Sequence, residues 1–174
     1  ADTIIIGYFL KTADVGIYRA LFQFTTAATF TTTAMSTVLF PKVSSWNANG
    51  ELEMAENAFS KGVTYSLLLA VPVFVGGVLL GDKMLYFFYG ESFAQGAKTF
   101  YVLLVVQLVN VFMFLQTMYL NALNRPKESF KVTAVAASAN ILLDLILIPV
   151  LGIIGAAIAT LITMTMNSFL AYLA

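Results

Sequence analysis

The sequence predicts an all-α fold, a polytopic transmembrane helical bundle, from three observations: its composition, the length of its uncharged runs and the absence of period-two alternation. Of 174 residues, 60% are hydrophobic and 10% charged, and the mean hydropathy is +0.88. A soluble domain carries roughly 25% charged residues. One core of this size has too little interior to hide so much apolar surface from water, so the surplus must face lipid. Several runs without Asp, Glu, Lys or Arg approach or exceed the roughly 17–25 residues that a spanning helix needs. The strands of a membrane barrel would alternate polar and apolar residues, and these runs do not.

Taken in order, residues 3–10 are apolar but short and read as a truncated helix. Residues 17–40 are the first full span and 61–81 the second, with Pro72 predicting a kink. Residues 99–121 are the third. The apolar stretch that follows is too long for one helix, and Pro149 and Gly152 divide it into spans at 131–149 and 153–173. The total is about five full spans plus the short one. Because apolar sequence begins next to Ala1 and is still running at Ala174, residues 1–174 read as one transmembrane unit incomplete at both ends.

The longest loop is 42–60, turned at Asn49-Gly50. After the turn, Leu52, Ala55 and Phe59 fall on one helical face, with Glu51, Glu53 and Glu56 elsewhere, which predicts a short amphipathic helix on the membrane surface. Trp46 and the run Tyr86, Phe87, Phe88 and Tyr89 sit where interfacial aromatics gather. Lys42, Lys61, Arg125, Lys127 and Lys131 share one side; Lys11, Arg19, Lys83 and Lys98 share the other. The basic 125–131 loop against the uncharged Gly152 turn puts the former, and the 42–60 loop, in the cytoplasm.

Composition also excludes. Nine basic and nine acidic residues give no net charge, so nucleic acid is not an expected partner. There is no Cys, hence no disulfide, and no His, the commonest metal ligand and general base. Glu53 and Glu56 are paired carboxylates but on a solvated face, so the chain is not expected to be an enzyme such as a membrane glycosyltransferase or polymer ligase.

Four helices carry polar stripes. Thr25, Thr29, Thr32, Thr33 and Ser36 fall within an arc of about 100°. Gln107, Asn110, Thr117 and Asn121 share about 80°. Thr133, Asn140 and Asp144 share a face, as do Thr160, Thr163 and Asn167. Lipid offers no hydrogen bonds, so these faces point to protein or to a watery cavity. Two readings stand for each stripe: hydrogen bonds between helices, or the lining of a hydrophilic pathway. On the pathway reading the candidates are Asp2, Arg19, Thr29, Thr33, Gln107, Asn110, Asn140 and Asp144. The charged ones suit a coupling cation or an anionic headgroup; as structural groups they reach water at helix ends or pair within a longer protein.

Seven stretches, in this order and spacing, carry a resemblance. They are Ala1-Asp2-Thr3-Ile4-Ile5-Ile6-Gly7, Val15-Gly16-Ile17-Tyr18-Arg19-Ala20, Phe40-Pro41-Lys42, Phe88-Tyr89-Gly90-Glu91-Ser92-Phe93, Asn140-Ile141-Leu142-Leu143-Asp144, Ile148-Pro149 and Gly152-Ile153-Ile154-Gly155-Ala156-Ala157. Together they resemble the C-terminal lobe of polysaccharide exporters, within the multidrug/oligosaccharidyl-lipid/polysaccharide flippase superfamily. The resemblance implies two pseudo-symmetric lobes around a central cavity in the cell (plasma or inner) membrane, with the N-terminal lobe lying outside this sequence. It implies alternating access that moves a lipid-linked oligosaccharide across the bilayer. No resident cofactor is implied; a proton or sodium gradient supplies the energy, in keeping with the lack of a phosphate-binding G-x-x-x-x-G-K-S/T loop. Arg19 would meet a pyrophosphate. An exporter of drugs or organic cations in the same superfamily is the alternative, favoured by buried acids such as Asp2 and Asp144.

Overall fold

The computed structural model describes residues 2–26, 29–90 and 96–173. Their regular structure is helical throughout: α1 (Asp2–Phe9), α2 (Thr12–Thr25), α3 (Thr29–Ala48), α4 (Leu52–Tyr89), α5 (Ala97–Ala122), α6 (Pro126–Leu151) and α7 (Ile153–Leu173). The all-α polytopic bundle is therefore what forms. Of these, Leu52–Gly81, Ala97–Ala122, Pro126–Leu151 and Ile153–Leu173 are long and apolar enough to cross a membrane, and the chain is a multi-pass membrane protein.

The turns follow from local chemistry. The carboxylate of Asp14 accepts the Lys11 backbone N–H at 3.1 Å and starts α2. Gly50, at φ +77°, lets the Glu51 N–H reach back to the Trp46 carbonyl at 2.9 Å and close α3. Asn124, at φ 60°, does the same after α5, with the Arg125 N–H on the Leu120 carbonyl at 2.9 Å. Pro126, which lacks an N–H, then opens α6 at a position where none is needed. Gly152 alone separates α6 from α7.

Helix α2 ends at Thr25 and α3 begins at Thr29; residues 27 and 28 of the expected 17–40 span lie outside the described residues. The hydroxyls of Thr25, Thr26 and Thr29 donate to the carbonyls of Phe22, Gln23 and Thr26, three residues back. These bonds draw on carbonyls that the helical ladder also needs. Helix α3 runs through Pro41 to Ala48, so the connection to α4 is confined to residues 49–51. The surface helix expected after Asn49-Gly50 is the start of α4, where Ala55 is buried and the Phe59 ring lies 4.7 Å from that of Tyr119. Helix α4 continues through Pro72, and α6 through Pro149. Of the family-like stretches, residues 1 and 91–93 lie outside the described residues.

Helix α5 is the central column and packs on α2, α3, α4, α6 and α7. One apolar cluster joins Ile6, Leu21, Leu85, Phe100, Leu103 and Ile148 near the α6–α7 turn. A second joins Leu39, Val43, Ala55, Val111, Leu115 and Met118 at the opposite end. Small residues set the spacing. A Cβ on Gly77 would stand 2.9 Å from the Leu104 methyls, and one on Gly81 would strike the Phe100 ring. On α7, Gly155, Ala156, Ala157 and Ala159 are all buried, letting the backbones approach as membrane helices do. Leu68, Leu79, Leu142 and Ile146 point outward and exposed. In lipid this exposure carries no hydrophobic cost.

Two outcomes follow. A Cβ on Gly155 collides with the Leu147 carbonyl, so Gly155→Ala costs about 1–3 kcal/mol and lowers the midpoint of thermal unfolding in detergent. Gly16→Ala, which meets nothing within 4 Å, leaves the midpoint level or raises it. Because the sequence has no Cys, single cysteines report sidedness cleanly: Lys127→Cys and Val150→Cys should label from opposite faces of sealed vesicles, and labelling from one face would refute this arrangement.

Candidate functional site

Four helices bring their polar residues to one place. On α6, Asn140 and Asp144 are four residues apart and share a face. On α7, Thr160, Thr163 and Asn167 repeat at three and four, and all three are buried. The single-residue turn at Gly152 and the small residues after it hold these two faces against each other. Asp2 comes in on α1 and Tyr18 on α2. The Tyr18 hydroxyl donates to Oδ2 of Asp2 at 2.9 Å, and the Thr160 hydroxyl donates to the same oxygen at 2.9 Å. Asn140 Nδ2 reaches the Thr163 hydroxyl at 3.5 Å.

Asp144 is 0% exposed, and its carboxyl adjoins that of Asp2. Neither Asp144 oxygen has a hydrogen-bond donor among the described residues. Two carboxylates side by side in an apolar surround repel each other and lose hydration. A shared proton or a small bound cation relieves both penalties, and the oxygens of Asp2, Asp144 and Thr160 are the hard ligands that such a cation prefers. What the arrangement can do chemically is take up and release one positive charge.

Two cavities border this cluster. One, of about 300 Å³, is lined by Asp2, Asn140, Thr160, Thr163 and Asn167. The other, of about 450 Å³, is lined by Asp2, Tyr18, Arg19, Gln23 and Thr26. Arg19 is exposed, and among the described residues no acid pairs with it. Its guanidinium is therefore open to an anion, which it would bind through two parallel N–H donors. A third cleft, of about 220 Å³, contains Thr29, Thr33 and Asn110. Phe22 forms part of the wall of all three.

The eight sequence candidates thus divide. Asp2, Asn140 and Asp144 meet in one cluster, Arg19 stands beside it, and Thr29, Thr33 and Asn110 line the third cleft. Gln107 is a packing residue: it is buried, donates to the Thr25 hydroxyl at 3.3 Å and accepts from Asn110 at 3.3 Å, tying α5 to α2. Tyr18 and Phe22 were missed as site residues. Their rings stack 6.3 Å apart, one helical turn from each other. A search for polar stripes passes over aromatics; the signal available was Tyr18 beside Arg19, with Phe22 four residues on.

The family model described as lipid II flippase MurJ matches residues 2–174. AglR of Haloferax volcanii, whose curated name is "Probable flippase AglR", is 38% identical over 173 residues, which is 98% of this chain and 36% of that protein. Agl15 of the same organism, "Probable low-salt glycan biosynthesis flippase Agl15", is 30% identical over 169 residues, 97% of this chain and 36% of its own length. The chain spans just over a third of the length of these relatives. No solved structure matches it.

The two hydroxyls on Asp2 can be weighed. Tyr18→Phe removes a donor to a part-buried carboxylate and should cost about 1.5–3 kcal/mol. In an Asp2→Asn background the same change should cost clearly less. Equal costs in the two backgrounds, read from thermal unfolding, would show that the bond contributes nothing.

Proposed function

The chain belongs to the lipid II flippase MurJ family, and from that premise we propose that it forms one lobe of a transporter that moves a lipid-linked oligosaccharide across the cell membrane. The observation that carries the reading is the fully buried Asp144, beside Asp2 and without a hydrogen-bond donor among the described residues, in a protein that spans the bilayer. Buried acids inside a membrane are costly, about 2.5–3.5 kcal/mol on insertion scales, and mark ion pathways. The role is transport by alternating access rather than catalysis, driven by a proton or sodium gradient.

The geometry supports a coupling step. Asp2 is held by Tyr18 of α2 and Thr160 of α7, while Asp144 belongs to α6. A cation between the two carboxyls draws α1 and α2 toward α6 and α7; without it the like charges push the pairs apart. A ligand shifts a conformational equilibrium only through such a difference between states. Arg19 lines a cavity that shares Asp2 with the cluster, so charge at the acids changes how firmly an anionic pyrophosphate is held next door. One elementary charge crossing 100 mV supplies about 2.3 kcal/mol, enough to bias the exchange. The 42–60 and 125–131 regions face the cytoplasm, where the substrate enters.

The test uses the full-length protein in sealed vesicles loaded with lipid-linked oligosaccharide extracted from its host. Movement to the opposite leaflet should depend on an imposed sodium or proton gradient, and Asp144→Asn should slow it at least about tenfold. Movement that ignores both gradients and survives the substitution would rule out ion coupling. Export of organic cations with no movement of the glycan lipid would favour the drug-exporter reading.

A further inference from the structure

A further cavity, of about 350 Å³, lies at the end of the bundle away from the α6–α7 turn and shares no lining residue with the cavities around the acids. Glu56 enters it from the first turns of α4, Gln116 and Tyr119 from the last turns of α5, Arg125 from the turn before α6 and Tyr172 from the end of α7. Local chemistry builds it. Asn124, at φ 60°, turns the chain so that the Arg125 N–H caps the Leu120 carbonyl at 2.9 Å, which keeps Arg125 at the end of α5. The Gln116 amide donates to the Ser168 carbonyl at 3.2 Å and ties α5 to α7. Three apolar spans begin or stop at this level: Leu52–Gly81, Ala97–Ala122 and Ile153–Leu173. The cavity therefore stands where the hydrocarbon gives way to headgroups, among aromatics of the kind that gather there.

Its walls hold two opposite charges that do not meet. Among the described residues Glu56 makes no ion pair, while Arg125 pairs with Glu128 at 3.9 Å, both side chains being well exposed (45% and 37%). A pair this long and this wet contributes little, and a guanidinium has five N–H donors to offer. Phe59 and Tyr119, their rings 4.7 Å apart, and the exposed ring of Tyr172 supply the aromatic part of the lining.

The occupant is constrained by this pairing of charges. A cation alone would satisfy Glu56 but share the cavity with Arg125, and an anion alone would meet the reverse. A neutral group would leave both charges without a partner. A dipolar ion answers each: its anionic end takes parallel N–H donors from Arg125, and its ammonium takes the Glu56 carboxylate and the negative faces of the rings. At headgroup depth the abundant molecule of that chemistry is a phospholipid. Phe169 and Leu173, exposed on the outward side of α7, give its acyl chains an apolar surface to follow. We propose that this cavity holds the headgroup of a bilayer phospholipid that carries an amine beyond its phosphate, the phosphate on Arg125 and the amine on Glu56. The site goes beyond the flippase reading and does not rest on it. Such a lipid touches α4, α5, the α5–α6 turn and α7 at once, so its binding stabilises their arrangement by mass action.

The experiment uses the full-length protein in detergent, titrated with phosphatidylethanolamine or with phosphatidylglycerol of identical acyl chains, and reads bound lipid by native mass spectrometry. Lys127 and Lys131 lie at the same end of the bundle, so unspecific attraction favours the anionic lipid; a preference for the dipolar one marks a site. The wild type should bind phosphatidylethanolamine about tenfold more tightly. Glu56→Gln, at an exposed position that does not endanger folding, should bring the ratio of the two affinities close to one. Arg125→Gln should weaken both lipids, and Glu53→Gln, outside the cavity, should keep the preference. A wild type without preference, a Glu56→Gln variant that retains it, or binding untouched by Arg125→Gln overturns the site. In lipid-free detergent the thermal losses of Glu56→Gln and Arg125→Gln should add. A double variant no less stable than either single one would mean that the two side chains bond each other, and that also overturns the proposal. Each of these outcomes leaves the flippase reading standing.

Discussion

Hydrocarbon offers a side chain no hydrogen bonds, and the arrangement of this bundle follows from that constraint. Each polar group on a spanning helix must find a partner on a neighbouring helix or line a space that water or a ligand fills. Gln107 shows the first solution, bonded to Thr25 on α2 and to Asn110 on its own helix. Asp2, Asn140, Thr160 and Thr163 show both at once, since they bond one another and line a cavity. The outward faces of α4 and α6 carry Leu, Ile and Val, which need no partner. The same rule that packs the helices therefore also gathers the polar residues inward.

Close approach of α6 and α7 depends on small residues rather than on polar attraction. Gly152 allows a one-residue turn, and Gly155 with the alanines after it keeps the helix backbones near each other. Asp144 is thereby buried beside Asp2. Local chain chemistry thus fixes the position of a costly group.

Phe22 gives the interior its compartments. It separates a cavity beside two carboxyls, a cavity beside a guanidinium and a cleft with no charge at all.

Much of this was legible in the sequence. Helix class, the spanning parts of α4 to α7 and the inward faces of α5, α6 and α7 follow from composition, run length and the 3.6-residue period, because those properties are local and the bilayer enforces them. Sequence alone did not say which polar residues meet. Asp2 and Asp144 are 142 positions apart, and Tyr18 and Thr160 reach the same carboxylate oxygen from different helices. A helical wheel tells which way a side chain points, whereas its partner is set by how the helices turn and stack against one another, and only the tertiary structure decides that.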